Sequence, residues 1–178
     1  MCFITWPNML QLPALLQLTS VQQQQEEEEE DQEVSAEEYE IKQIIAVARG
    51  FLSALSTKSR AGFNKHCIRA GGMSLSPPSS PLLSPSSAAG TGIRFCTLGT
   101  FVEHISSLRD NITERFWDPQ VKIDDARDFA AVWAPFRAQV NGVVDHVGVE
   151  LFVLHRIDGH WKVTGLADSC RFPSDEER

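Results

Sequence analysis

Residues 128–169 read DFAAVWAPFRAQVNGVVDHVGVELFVLHRIDGHWKVTGLADS. Three runs rich in Val, Phe, Trp and Leu are separated by Asn141-Gly142 and by Asp158-Gly159. Both dipeptides tolerate the positive φ angles that tight hairpins need. The stretch therefore predicts a three-stranded antiparallel meander over 128–140, 144–157 and 160–169. In its middle strand Val147, Val149, Leu151 and Val153 share one parity, while Phe152 and Leu154 share the other. A sheet wet on one side alternates apolar with polar residues. Here both faces are apolar, so one must meet helices and the other needs a second cover. A partner subunit's sheet is the simplest cover and predicts a homodimer. The competing reading is a central strand covered on both sides within a monomer.

Upstream, 113–123 has the character of a fourth strand. Before it, the pattern is helical. Ser35 with Glu38 forms a capping box, and Ile41, Ile44, Ile45, Ala48, Phe51, Leu52 and Leu55 then recur at three- and four-residue steps. A short second helix is expected over 61–67, stopping at Gly71-Gly72. A third is expected from Thr100, capped by Thr100 and Glu103, with Phe101, Ile105 and Leu108 on one face and His104 at its border.

The flanks read differently. Residues 1–34 contain a Gln/Glu tract with no apolar periodicity and strong self-repulsion, which predicts a disordered tail. Residues 74–92 are rich in Ser and Pro and read as a surface loop inserted into a domain over 35–172. Residues 173–178 read as an acidic C-terminal tail.

The formal charge of −8 is a property of the N-terminal flank. Seven of the 24 acidic residues lie within 26–33, and without them 17 acidic residues face 16 basic ones. A general nucleic-acid surface needs clustered positive charge, so it is not expected. No run of 18 apolar residues is present, so no membrane-spanning helix is expected. Cys2, Cys67, Cys96 and Cys170 show neither CxxC spacing nor a matching His pair. That spacing predicts no metal site and fits a reducing, cytoplasmic setting.

The segment FWDPQVKID and the meander after it resemble the C-terminal half of a SnoaL-like domain, of the nuclear transport factor 2-like superfamily. Trp133, Pro135 and Phe136 match a W-x-P-[YF] strand, and His146, Gly148 and Phe152 match an H-x-G-x-x-x-F strand. The three N-terminal helices fit the family's other half, so the resemblance spans 35–172. It implies an α+β fold, a cone-shaped roll in which a strongly bent antiparallel sheet wraps around three N-terminal helices. It also implies a pocket inside the cone. Family members include ketosteroid isomerases, polyketide cyclases, scytalone dehydratases and epoxide hydrolases, alongside non-catalytic binding and dimerisation modules. Fold alone does not choose among these.

The family's enzymes use cofactor-free general acid–base chemistry in an apolar cavity. The matching candidates here are His146 as base, with Glu150 or Asp168 orienting it. His146 and Glu150 lie four apart on one strand and so face one side, with Phe152 and Leu154. His104, Trp117, Trp133, Phe136, Phe152 and Leu154 are candidate ligand-binding residues. Each has a structural alternative. Glu150 could pair with Arg137 or Arg156, Asp168 could bond to backbone, and the aromatic residues could be core. The single tyrosine, Tyr39, stands at the start of the first helix, a poor place for a tyrosine oxyanion hole. No glycine-rich phosphate loop or G-x-S-x-G elbow is present. The expectation is a domain binding a small, mostly apolar organic molecule. Chemistry there would be that of an isomerase, cyclase or dehydratase; the alternative is a non-catalytic ligand-binding or dimerisation module.

Overall fold

The structure, a computed structural model, describes residues 36–76 and 93–177. The expected Ser35 cap, the tail over 1–34 and residues 77–92 of the Ser/Pro stretch lie outside the described residues. The chain divides into two units, Met1–Glu40 and Ile41–Arg178. The described part of the first, residues 36–40, is helical; everything below concerns the second.

In the second unit helix α1 occupies 41–56, and the apolar face anticipated from its periodicity is the buried one: Ile44, Ala48, Phe51, Leu52 and Leu55. Helix α2 covers Arg60–His66, with Ser59 accepting the Gly62 amide at 3.0 Å as its N-cap. Helix α3 covers Leu98–Ser107. Its cap is Thr97, which accepts the Thr100 amide at 3.0 Å, one turn earlier than the Thr100 cap expected from sequence. Glu103 bonds Arg69 and Arg60 rather than the helix start.

Seven strands follow or interleave: β1 (Cys67–Leu75), β2 (Arg94–Thr97), β3 (Ile112–Phe116), β4 (Gln120–Ile123), β5 (Phe129–Val140), β6 (Val143–Ile157) and β7 (His160–Arg171). They form one sheet in the order β2-β1-β7-β6-β5-β3, with β4 also on β5. The meander is β5-β6-β7, antiparallel throughout. Its turns have positive φ at Asn141 and Gly142 and at Asp158 and Gly159, as the two hairpin dipeptides demanded.

Three features differ from the sequence reading. The expected strand over 113–123 is two strands, because Asp118 has φ 44° and Pro119 offers no amide to the ladder. Both pieces pair with β5, β3 along its C-terminal half and β4 along its N-terminal half. Secondly, β1 is a strand where a helix stop and the start of the Ser/Pro loop were expected, and β2 is a strand in a stretch to which the sequence assigned no element. Gly71 does not end a helix: a Cβ there would sit 2.3 Å from the Thr164 carbonyl oxygen, so glycine permits β1 to approach β7. Thirdly, β1 runs parallel to β7, so the sheet is mixed rather than antiparallel.

The sheet is unclosed and interrupted by register shifts in β1, at 138/139 in β5 and at 153/154 in β6. Such bulges bend and twist strands, which lets the sheet curl around the helices as an α+β cone-like fold. Phe51, Phe63 and Phe152 anchor the core, with ring centroids of Phe51 5.1 Å from Phe63 and 6.0 Å from Phe152. At the C-terminus, Arg171 makes two 2.8 Å contacts to the Glu177 carboxylate, so this acidic end is tied back to β7.

Candidate functional site

Three cross-strand rows on the concave side of the sheet build the site. In one, Glu114 of β3 stands opposite Ala138 of β5, which stands opposite His146 of β6. In the next, Phe136 pairs with Gly148, and Gly148 with Cys170 of β7. In the third, Ala134 pairs with Glu150, and Glu150 with Asp168. Alanine at 138 leaves room above the sheet between the longer side chains.

That room is real. A partly open cavity contains about 870 Å³ of empty space, its opening included. Water-sized molecules can place their centres within about 90 Å³ of it, several times the ~10–15 Å³ that one water requires. The helices contribute Phe51, Leu55, Phe101 and Ile105, with His104 of α3 beside them; the sheet contributes Met73, Ile112 and Leu166. Glu114, His146, Glu150 and Asp168 also line it, so the sheet brings together all three candidate catalytic residues.

The electrostatics are dominated by like charges in a poorly solvated place. Glu150 is 2% exposed. Burial, then the Glu114 carboxylate beside it, hold its carboxyl well above the usual range. Burial likewise raises Glu114 to about 7 against the opposing pull of His146, and Glu150 donates a hydrogen bond to it. Two adjacent carboxyls cannot both ionise cheaply away from water, so the pair shares a proton near neutrality. Glu150 Oε2 is buried and has no hydrogen-bond partner among the described residues. Asp168 is raised as well, chiefly by burial, although its Oδ1 accepts the Ser76 amide at 2.5 Å.

The partner that orients His146 is neither Glu150 nor Asp168, as expected, but Asp145, whose Oδ2 lies 2.8 Å from His146 Nδ1. Strict alternation would send Asp145 to the opposite face. The register shift between Ala138 and Gln139 leaves Asp145 as the extra residue on β6, and a bulge relaxes that alternation. The Phe136 ring stands edge-on to the imidazole at 5.5 Å between centroids.

The arginine pairing considered for Glu150 does not occur among the described residues. Arg156 lies over the Trp161 ring at 4.9 Å, and Arg137 has the parity opposite to buried Phe136 and Ala138. Among the expected ligand contacts, only His104 lines the cavity. Phe136, Phe152 and Leu154 have the right parity but are packed wholly into the core. Trp117 and Trp133 are 43% and 51% exposed and are not cavity walls. Trp133 pairs with Leu151 on the outer face of the sheet, and Trp117 sits at the break between β3 and β4. Glu114 escaped the sequence reading because I-T-E-R-F looks like an ordinary strand with a polar middle. The alternation of Ile112, Glu114 and Phe116 was the available signal.

Among the described residues no group of three or more His, Cys, Asp or Glu is arranged to hold a metal ion, and no helix is long and apolar enough to cross a membrane. Cys67, Cys96 and Cys170 are free thiols. Burial and then the Asp168 charge raise the Cys170 thiol, which keeps it protonated and a poor nucleophile.

No protein-family profile and no curated protein matches the sequence. Solved structures do match the fold. The association domain of Caenorhabditis elegans CaMKII is 18% identical with TM-score 0.56, covering 75% of this chain and 98% of that domain. A single-substitution variant of Rv3472, a protein of unknown function from Mycobacterium tuberculosis, is 12% identical with TM-score 0.61, covering 81% of this chain and 79% of its own. An NTF2-like protein from Cytophaga hutchinsonii is 15% identical with TM-score 0.57, covering 72% and 95%. The chain thus has the nuclear transport factor 2-like, or SnoaL-like, fold.

Proposed function

We propose that the protein binds a small, mostly apolar organic molecule in the cone cavity and moves a proton on it without a cofactor. The reaction class is that of an isomerase, cyclase or dehydratase. The observation that carries this reading is the convergence of three carboxyls and an imidazole in a cavity whose walls are otherwise mostly apolar, Ser76, Arg94 and His104 excepted. Asp145 holds His146 Nδ1, leaving Nε2 as the nitrogen free to take a proton from a bound molecule. Glu150 retains its proton and bonds Glu114 with it, which holds the acid pair in the cavity without a second full charge. Glu114 and Asp168 set the charge around both.

Mass spectrometry of the small molecule that co-purifies with the protein identifies the ligand. Incubating that ligand with protein in deuterated water then separates catalysis from binding. The expected result is deuterium incorporation at carbon that falls at least about 100-fold in His146→Ala, within the usual range for a general base. Binding with incorporation no faster than in buffer would make the domain a binding module.

A second reading concerns the outer face. Phe129, Trp133, Val149, Leu151 and Val153 form a contiguous apolar surface there, with Phe129 and Trp133 well exposed. A second copy of the chain fits it best, since one apolar sheet face is self-complementary about a two-fold axis. The expected species in sedimentation is a homodimer, converted to monomer by Trp133→Glu with Leu151→Glu. A monomeric wild type would refute it.

A further inference from the structure

We infer that the ligand of the cone cavity carries a protonated amine, whose ammonium group sits against Glu114, Glu150 and Asp168. This rests on reading the cavity as a small-molecule site and adds the ligand's charge to it.

The first support is charge balance. Among the described residues the basic side chains that line the cavity with Glu114, Glu150 and Asp168 are Arg94, His104 and His146; His146 draws on Glu114 and Asp168, and its Nδ1 is already engaged by Asp145. The end of the cavity is therefore short of positive charge, and an incoming carboxylate or phosphate would meet repulsion where screening is weak.

Hydrogen-bond inventory is the second support. Glu150 Oε2 is a buried acceptor without a donor among the described residues, which costs free energy until something supplies an N–H or O–H. Asp168 Oδ1 already takes the Ser76 amide, and its Oδ2 takes the Cys170 thiol at 3.2 Å. What remains is acceptor capacity, and an ammonium group offers three donors and no acceptor. A neutral hydroxyl would satisfy Oε2 but leave the charge uncompensated.

The walls agree. Phe51 and Phe101 both line the cavity, with stacked rings 6.3 Å apart. They would cover the hydrocarbon part of an amine, and aromatic faces also attract cations.

Benzylamine, benzyl alcohol and benzoate are nearly equal in size and differ in charge, so they make the test. Their binding to the full-length protein is measured by calorimetry and ligand-observed NMR at pH 7.5 and low salt. Benzylamine is expected to bind at least tenfold more tightly than benzyl alcohol, with benzoate weakest. Glu150→Gln is isosteric, and Asp168→Asn provides a second variant. Each is expected to reduce the preference for the amine over the alcohol several-fold. Equal or tighter binding of benzyl alcohol or benzoate would overturn the inference and leave the cavity reading intact. Failure of all three to bind folded protein would overturn the cavity reading and the inference with it.

Discussion

Thermal unfolding of the Glu114→Gln protein should lose most of the pH dependence that the wild type shows between pH 5 and pH 8. Glu114 is held at about 7 against an ordinary value of 4.5, chiefly by burial, and Glu150 is also raised well above its ordinary range. A raised carboxyl means that the folded state binds the proton more tightly than the unfolded chain does. Its stabilising contribution is complete below pH 4.5 and is lost as pH rises through 7. A tenfold tighter hold on the proton is worth about 1.4 kcal/mol, so wild-type stability should fall by on the order of 3 kcal/mol across that window. Glutamine keeps the shape of Glu114, still accepts the Glu150 hydrogen bond through its amide oxygen and removes the group that titrates at about 7. Glu150 then loses the like charge of Glu114 beside it. The variant should match or exceed wild-type stability at pH 8, by about 1–3 kcal/mol, the scale of a buried charge relieved of a like neighbour. Melting curves by circular dichroism at half-unit pH steps provide the measurement. A wild-type curve that is flat between pH 5 and 8, or a slope that survives the substitution, would sink the shared-proton description.

The second large effect belongs to Gly148→Ala. A Cβ at 148 would lie 1.7 Å from the Ser169 carbonyl oxygen and 3.1 Å from the Phe136 ring. The first obstacle is backbone of the paired strand β7, so no side-chain adjustment relieves it. Either β7 separates from β6 locally or the strand carrying His146 and Glu150 shifts. A cost of about 3 kcal/mol or more is expected, at the upper end of overpacking effects. The displaced β7 would also move Asp168 out of register with Glu150. Loss of ligand binding should therefore accompany the loss of stability. A variant with wild-type melting temperature would show that the close approach at 148 is not a constraint.

Much of the fold was legible in the chain because its signals are local. The two hairpins follow from four residues in consecutive pairs, Asn141-Gly142 and Asp158-Gly159, whose backbone preferences act within one turn. Helix α1 follows from the spacing of Ile44, Ala48, Phe51 and Leu55. The parity of His146, Glu150 and Phe152 follows from the two-residue period of a strand. The elements that were misread depend on distant partners. β1 is a strand because β7 lies beside it, and Gly71 reads as a helix stop to anyone who cannot see the Thr164 carbonyl. Trp117 and Trp133 were plausible ligand walls by residue type alone, yet strand parity and the interruption between β3 and β4 carry them elsewhere.

The candidate site divides in the same way. His146 and Glu150 could be placed on one face from sequence, since their separation is an even number of residues along β6. That Asp168 stands directly opposite Glu150 was decided by the register of β6 on β7, including a bulge between Val153 and Leu154. Asp145 turns toward His146 only because a second bulge interrupts alternation.

By itself the sequence determined the meander, the amphipathic helices, the face on which the acid and the imidazole reside, and the apolar character of both sides of β6. These are consequences of backbone preference and period, which neighbouring residues impose on one another. Only the tertiary structure decided that Glu114 joins Glu150, that their carboxyls share a proton, and that a cavity remains above Ala138. Those depend on curvature and on which strands end up side by side, and no local preference encodes the distance between two carboxyls on β3 and β6.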